Sequence, residues 1–218
     1  MEICKKQLFH LEANQGLIND PNGLAYFKDK YYVFFQWNRL RKDHSYKEWG
    51  LYTSKNMIDW QFNGTALFPD QYFDINGVYS GSAYVIHDQL CLFYTGNTKV
   101  DGKRKSYQCI AISDDGDCFT KLGPILKTPS EYTEHFRDPK VIRVHNDMYY
   151  MVIGAQQKNG KGAIALAKSI DGFNWSYMHR LAYSHLYQMV ECPDLFTVDN
   201  QDVMLYGLQT RDNEKDEP

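Results

Sequence analysis

Four stretches of the chain open alike. "NDPNGLAYFKDKYYVFFQWN" begins at Asn19, "YSGSAYVIHDQLCLFYTGN" at Tyr79, "FRDPKVIRVHNDMYYMVIGA" at Phe136 and "ECPDLFTVDNQDVMLYGLQT" at Glu191. Each reads as a short polar start, an apolar strand, a turn and a second, aromatic-rich strand. The equivalent positions Asp20, Gly81, Asp138 and Asp194 lie about fifty to sixty residues apart. The first three units continue into "EWGLYTSKNMIDW", "QCIAISDDGDCF" and "AIALAKSIDGFNW", a strand followed by a Ser-containing turn and an aromatic residue.

Four antiparallel strands at a period of about 40–50 residues or slightly more is the pattern of β-propeller blades. One twisted four-stranded blade cannot bury both faces alone, so blades stack around an axis and cover each other. The expected fold is therefore all-β, with blades at about 17–68, about 76–126 and about 135–183 and a partial fourth at about 190–218. That amounts to about three and a half blades, short of the roughly four to eight that close a propeller. The last unit runs into "LQTRDNEKDEP", whose charges leave few side chains for a core.

Composition agrees with strands and narrows the function. Aromatic residues make up 15% of the 218, including 17 Tyr and 12 Phe, which favour pleated, half-buried surfaces and sugar-stacking clefts. The net charge of −3 carries no basic stripe, which argues against nucleic acid. No run has the length of a bilayer span, and the opening residues hold no apolar core of signal-peptide length, so the expectation is a cytoplasmic protein with no membrane partner. Five cysteines (Cys4, Cys91, Cys109, Cys118, Cys192) without a CxxC pair fit neither a disulfide framework nor a zinc site and are expected to be reduced and mostly buried. The histidines are scattered, with no metal-ligand spacing. His135, beside "FRDP", reads as a turn histidine.

In a propeller the innermost strand of every blade starts near the central channel, so residues at equivalent positions converge on one funnel. Asp20, Asp138 and Glu191 hold such positions. Three independent turns are a poor explanation, because like charges in a confined space cost energy and are kept for a use.

"NDPNG" at 19–23, "FRDP" at 136–139 and "ECPDLF" at 191–196 resemble, in that order, the three signature motifs of glycoside hydrolase family 32, the invertases, fructanases and sucrose-6-phosphate hydrolases. "FFQWN" at 34–38, "WG" at 49–50, "TSKNMIDW" at 53–60, "YSGSA" at 79–83 and "FYTGN" at 93–97 extend the likeness from about Phe9 to Leu208. The "FHL" start and "SYKEWG" are most similar to bacterial cytosolic sucrose-6-phosphate hydrolases. The resemblance implies a five-bladed propeller, present here only in part, and a C-terminal β-sandwich that this sequence does not include.

It also implies a retaining β-fructofuranosidase acting on a small fructoside such as sucrose 6-phosphate or sucrose, without cofactor or metal. Asp20 is then the nucleophile, Glu191 the general acid/base and Asp138 the transition-state stabiliser, with Asn19, Gln36, Trp49, Ser80 and Arg137 around the fructosyl group. Retaining glycosidases need two carboxyl groups roughly 5–5.5 Å apart in opposite protonation states. Desolvation and like charge are expected to raise Glu191 into an acid's range, while Asn19, Asn22 or backbone donors keep Asp20 ionised. Cys192 has no paired His and reads as packing.

Leu17 and Ile18 stand where the family often has Trp-Met, and Leu51 where a His commonly follows "WG", both close to substrate in the family's pattern. In "RLRKDHSYK", Arg39, Arg41, Lys42 or Lys47 suit a sugar phosphate, although a solvated loop explains the run as well. Two other functions fit the same motifs: a fructanase, and a noncatalytic truncated propeller that at most binds fructosides.

Overall fold

A computed structural model describes residues 9–13, 15–144, 148–183 and 187–209, and among these the regular structure is entirely β. Cys4, His145 and His185, and the charged stretch from 210, lie outside the described residues. Strands β1 (Leu17–Phe27), β2 (Lys30–Asn38), β3 (Glu48–Ser54) and β4 (Trp60–Leu67) form one antiparallel sheet in chain order. The second comprises β5 (Val78–Ile86), β6 (Gln89–Val100), β7 (Lys103–Ser113) and β8 (Thr120–Lys127), again in sequence. The third is β9 (Tyr132–Val144), β10 (Met148–Gln157), β11 (Gly162–Ser169) and β12 (Ser176–Tyr183), and a hairpin follows, β13 (Met189–Val198) with β14 (Gln201–Gln209). The first strands are neighbours in turn: β1 lies beside β5, β5 beside β9 and β9 beside β13. This is an incomplete propeller, with four first strands around one axis.

The apolar pattern explains the stacking. On β6, Leu90, Leu92 and Tyr94 pack with Phe34, Trp49 and Leu51 of the first sheet, while Cys91 and Phe93 pack with Phe136, Met151 and Ile153 of the third. A strand buried on both faces shows period two by destination rather than by polarity, hence the nearly unbroken apolar run "LCLFY". On β10 the alternation repeats, with Met151 and Ile153 facing the second sheet and Val152 facing Val190 of the hairpin. Gly154 lets that last approach happen, because a Cβ there would lie 2.3 Å from the Val190 carbonyl oxygen.

The Ser-containing turns are one device used three times. Asn56 Oδ1 accepts the N–H groups of Ile58 and Asp59, Asp115 Oδ1 those of Asp117 and Cys118, and Asp171 Oδ1 those of Phe173 and Asn174, all at 2.7–2.9 Å. Ser54, Ser113 and Ser169 each bond the same side chain. These side-chain caps replace backbone ladder bonds as the chain turns from third to fourth strand. Their donors hold the Asp115 carboxyl down to about 2 and push Asp171 lower still.

Candidate active site

Every first strand carries a bulge at the same place. Asn19 and Asp20 together oppose Gln36, Ser80 is an extra residue between Tyr79 and Gly81, Asp138 and Pro139 oppose Ile153, and Cys192 and Pro193 oppose Tyr206. An inserted residue bends the strand and re-aims side chains out of the alternating pattern. Asp138 and Cys192 adopt φ of +64° and +46°, left-handed values that non-glycine residues hold only when their surroundings enforce them.

The bulged strands β5, β9 and β13 are each propped by the sheet before them. Gln36 Nε2 donates to the Val78 carbonyl at 2.8 Å, Gln108 Nε2 to Phe136 at 2.9 Å and Gln156 Nε2 to Gln188 at 2.8 Å. A side-chain amide, buried in the first two sheets and half-buried in the third, thus meets β5, β9 and the start of β13 in turn. Trp49 adds a bond from its indole N–H to the Tyr79 carbonyl at 3.0 Å. Under Asp138, Thr95 Oγ1 accepts its backbone N–H at 3.0 Å and donates to Gln108 Oε1 at 2.8 Å.

The bulges surround a cavity of about 470 Å³ lined by Asn19, Asp20, Gln36, Ser80, Arg137, Asp138 and Glu191, joined by His44, Lys47, Tyr79, Arg104, His135, Cys192 and Gln209. That volume suits a small ligand. Of the three carboxylates and the five residues expected around the fructosyl group, all but Trp49 line it. Trp49 is fully buried behind it against Phe34 and Tyr94, so its part is to position β5. Leu51 is likewise a core residue, and the departure after "WG" does not reach the cavity.

The three carboxyl groups have different surroundings. Asp20 Oδ2 accepts Ser80 Oγ at 2.7 Å. The donors expected from Asn19 and Asn22 are not used: Asn19 Oδ1 accepts Lys47 Nζ at 2.6 Å, and Asn22 reaches only the Asp20 main-chain carbonyl, at 3.4 Å. A Ser from the neighbouring sheet supplies the bond instead. Asp138 accepts the Cys192 N–H at 3.0 Å, with Arg137 Nε at 3.8 Å. Glu191 Oε1 is paired with the other end of the Arg137 guanidinium.

The desolvation expected at Glu191 falls on Asp138. The Glu191 side chain is 37% exposed, whereas Asp138 is 6% exposed, and burial, opposed by Arg137, pushes its carboxyl up to about 6. Cys192 is not packing either. Its side chain opens onto the cavity, with Sγ 3.7 Å from Asp138 Oδ2 and 4.0 Å from Asp20 Oδ2. Partial desolvation, then the three carboxylates, push its thiol well above the ordinary value, which makes it a poor nucleophile. Cys91 and Cys109 are buried and Cys118 exposed, and these three and Cys192 are free thiols.

The basic run divides. Arg39 pairs with Glu48 at 3.4 Å, Arg41 and Lys42 face solvent, and Lys47 is buried at the cavity wall, bonded to Asn19 and, at 2.9 Å, to His44 Nδ1. Burial lowers the Lys47 ammonium, against the pull of Asp20 and Asp43. His135 lies in β9 rather than in a turn, its Nδ1 within 3.1 Å of both Arg104 and Arg137.

Residues 10–217 match the family model for the glycosyl hydrolases family 32 N-terminal domain. The chain is 44% identical over 211 residues to sucrose-6-phosphate hydrolase of Bacillus subtilis, covering 94% of itself and 44% of that protein. With the Salmonella typhimurium enzyme of the same name the identity is 42% over 204 residues, covering 90% and 44%. Among solved structures, sucrose-6-phosphate hydrolase from Lactobacillus gasseri superposes with a TM-score of 0.83 at 35% identity, over 88% of this chain and 40% of that one. A Bombyx mori β-fructofuranosidase mutant in complex with sucrose gives 0.84 at 33%, over 96% and 46%. The chain thus spans less than half the length of these relatives.

Proposed function

Since this chain belongs to glycosyl hydrolase family 32, we propose that its cavity performs the chemistry of a retaining β-fructofuranosidase on sucrose 6-phosphate or sucrose. The observation that carries this reading is the meeting of Asp20, Asp138 and Glu191, from three different sheets, in one small cavity with one arginine between two of them.

The assigned roles follow from the surroundings. Asp20, with Oδ2 oriented by the Ser80 hydroxyl, attacks the anomeric carbon of the fructosyl group. Glu191 lies toward the open part of the cavity, where a leaving oxygen departs, and delivers a proton to it. In the second step it takes a proton from the water that releases fructose from Asp20. Arg137 orients Glu191 and offsets the negative charge of the trio. Asp138, fixed by the Cys192 N–H, accepts hydrogen bonds from fructosyl hydroxyls that strengthen as the oxocarbenium-like transition state forms. A phosphorylated disaccharide does not cross membranes unaided, so with that substrate the activity belongs in the cytoplasm. No helix among the described residues is long and apolar enough to cross a membrane.

The test is methanolysis of sucrose and of sucrose 6-phosphate, followed by NMR. The expected product is methyl β-fructofuranoside, with the configuration retained. An inverted product overturns the two-step route, and no fructosyl transfer or hydrolysis by the folded chain overturns the proposed activity.

A further inference from the structure

Three side-chain amides hold β5, β9 and the start of β13, whereas a cation reaches the bulge of β1. Lys47 lies in the loop between β2 and β3 and is 6% exposed. Its carbonyl accepts the Val78 N–H at 3.0 Å, which fixes its backbone to the first residue of β5. From there the side chain crosses to β1, where Nζ donates to Asn19 Oδ1 at 2.6 Å and meets His44 Nδ1 at 2.9 Å. Both partners are acceptors without a negative charge, and the charges that face the ammonium are those of Asp20 on β1 and Asp43 in its own loop. A buried ammonium on such partners costs more than one paired with a carboxylate, and groups of this type are kept for a use.

The use follows from what an ammonium can do. It carries donors only, whereas the amide of an asparagine has a donating end and an accepting end. An asparagine in a cavity wall can present either end, and contact with Nζ is compatible with one. Asn19 turns its oxygen to Lys47, so Nδ2 is the end left for the cavity. His44 Nδ1 takes another of the ammonium hydrogens, which fixes Nζ between the loop and β1. Asn19 shares its bulge with Asp20, and both line the cavity. Beside the Asp20 carboxylate the wall thus offers a donor of fixed place.

We propose that Lys47 is a positioning residue: its ammonium sets the Asn19 amide so that Nδ2 donates to a hydroxyl of the fructosyl group held at Asp20. The proposal rests on the fructosidase reading for the identity of the ligand. The coupling of Lys47 to Asn19 is testable by binding as well as by turnover.

The experiment is a double-mutant cycle of Lys47→Met, Asn19→Ala and the two together. It is read by hydrolysis of sucrose 6-phosphate and sucrose and by calorimetric titration with fructose, with a thermal melt of every chain. The bond at stake joins uncharged groups, so each single change is expected to lower kcat/KM and fructose affinity about 3- to 10-fold. A Lys47 that acts through Asn19 makes the double variant no worse than Asn19→Ala, whereas a side chain that only supports the fold gives losses that multiply. Lys47→Arg, again a cation with donors alone, is expected to recover part of the loss. His44→Ala, a change at an exposed residue that leaves Lys47 in place, closes a second cycle even if Lys47→Met does not fold, and its smaller loss is also expected to vanish beside Asn19→Ala. Unchanged kcat/KM and fructose affinity in folded Lys47→Met, losses that multiply in either cycle, or a Lys47→Arg no better than Lys47→Met overturns the proposal. A folded parent chain that releases no fructose contradicts the fructosidase reading, and the cycles are then decided on fructose affinity alone. A folded parent that also fails to bind fructose overturns the proposal with it.

Discussion

The backbone N–H of Cys192 donates to Asp138 Oδ2 at 3.0 Å, so the residue that follows Glu191 in β13 holds the carboxylate of β9. Two bulged strands from successive sheets are thereby locked at the point where their acidic residues meet. Both partners hold left-handed backbone angles, and the bond is part of what maintains them. The site is an assembly of irregularities, each in a regular strand, with those of β5, β9 and β13 propped by the sheet before them.

Asp138 carries the cost of that assembly. An acid whose carboxyl titrates near 6 in the folded chain and near 3.8 when unfolded takes up a proton on folding over that interval. Its contribution therefore favours the folded state in acid and is lost as pH rises from about 4 to about 6. Asp138→Asn is expected to raise stability at pH 7 by about 1–3 kcal/mol, with no gain at pH 4, while turnover disappears. Urea unfolding of both chains at the two pH values checks the sign.

Ser80→Ala removes the hydroxyl bonded to Asp20 Oδ2 and leaves the strand unchanged. Hydrogen bonds to charged groups contribute about 1.5–3 kcal/mol, so kcat/KM should fall roughly 10- to 100-fold. Steady-state kinetics beside a thermal melt makes the check, and an unchanged rate would remove Ser80 from the orientation of Asp20.

Gly154→Ala probes the contact between the third sheet and the hairpin. The new Cβ would meet the Val190 carbonyl oxygen at 2.3 Å, one residue before Glu191. Overpacking of this type costs about 1–3 kcal/mol and should displace Glu191, lowering both melting temperature and activity. Neither change would mean that β10 and β13 are less tightly apposed than described.

The strand plan was legible because the repeat imposes it: "YYVFF", "LCLFY" and "YYMVI" each announce a second strand, and each lies in one. The convergence of Asp20, Asp138 and Glu191 was legible for the same reason, since equivalent positions in a radial repeat meet at the axis. Residues whose role depends on a neighbour far along the chain were not. Ser80 was placed at the site by the family resemblance alone, and its bond to Asp20 spans 60 positions; Arg104, which reaches His135 across 31, was not singled out. No local pattern marks either bond. Trp49 misled for a related reason: an indole in a motif beside the site reads as a wall of the cavity, and only the packing of β3 against β6 places it behind. Cys192 misled in the opposite direction, because a bulge turns outward a side chain that regular alternation would have packed.

The central claim is that this cavity cleaves fructosides through Asp20. Its most direct test is fructose release from sucrose 6-phosphate and from sucrose by the 218-residue chain, set against Asp20→Asn folded to the same melting temperature. The account predicts release by the parent chain and a loss of at least about 1,000-fold in the variant, as expected when a nucleophile is removed. Release that persists in Asp20→Asn, or none from either folded chain, would contradict it.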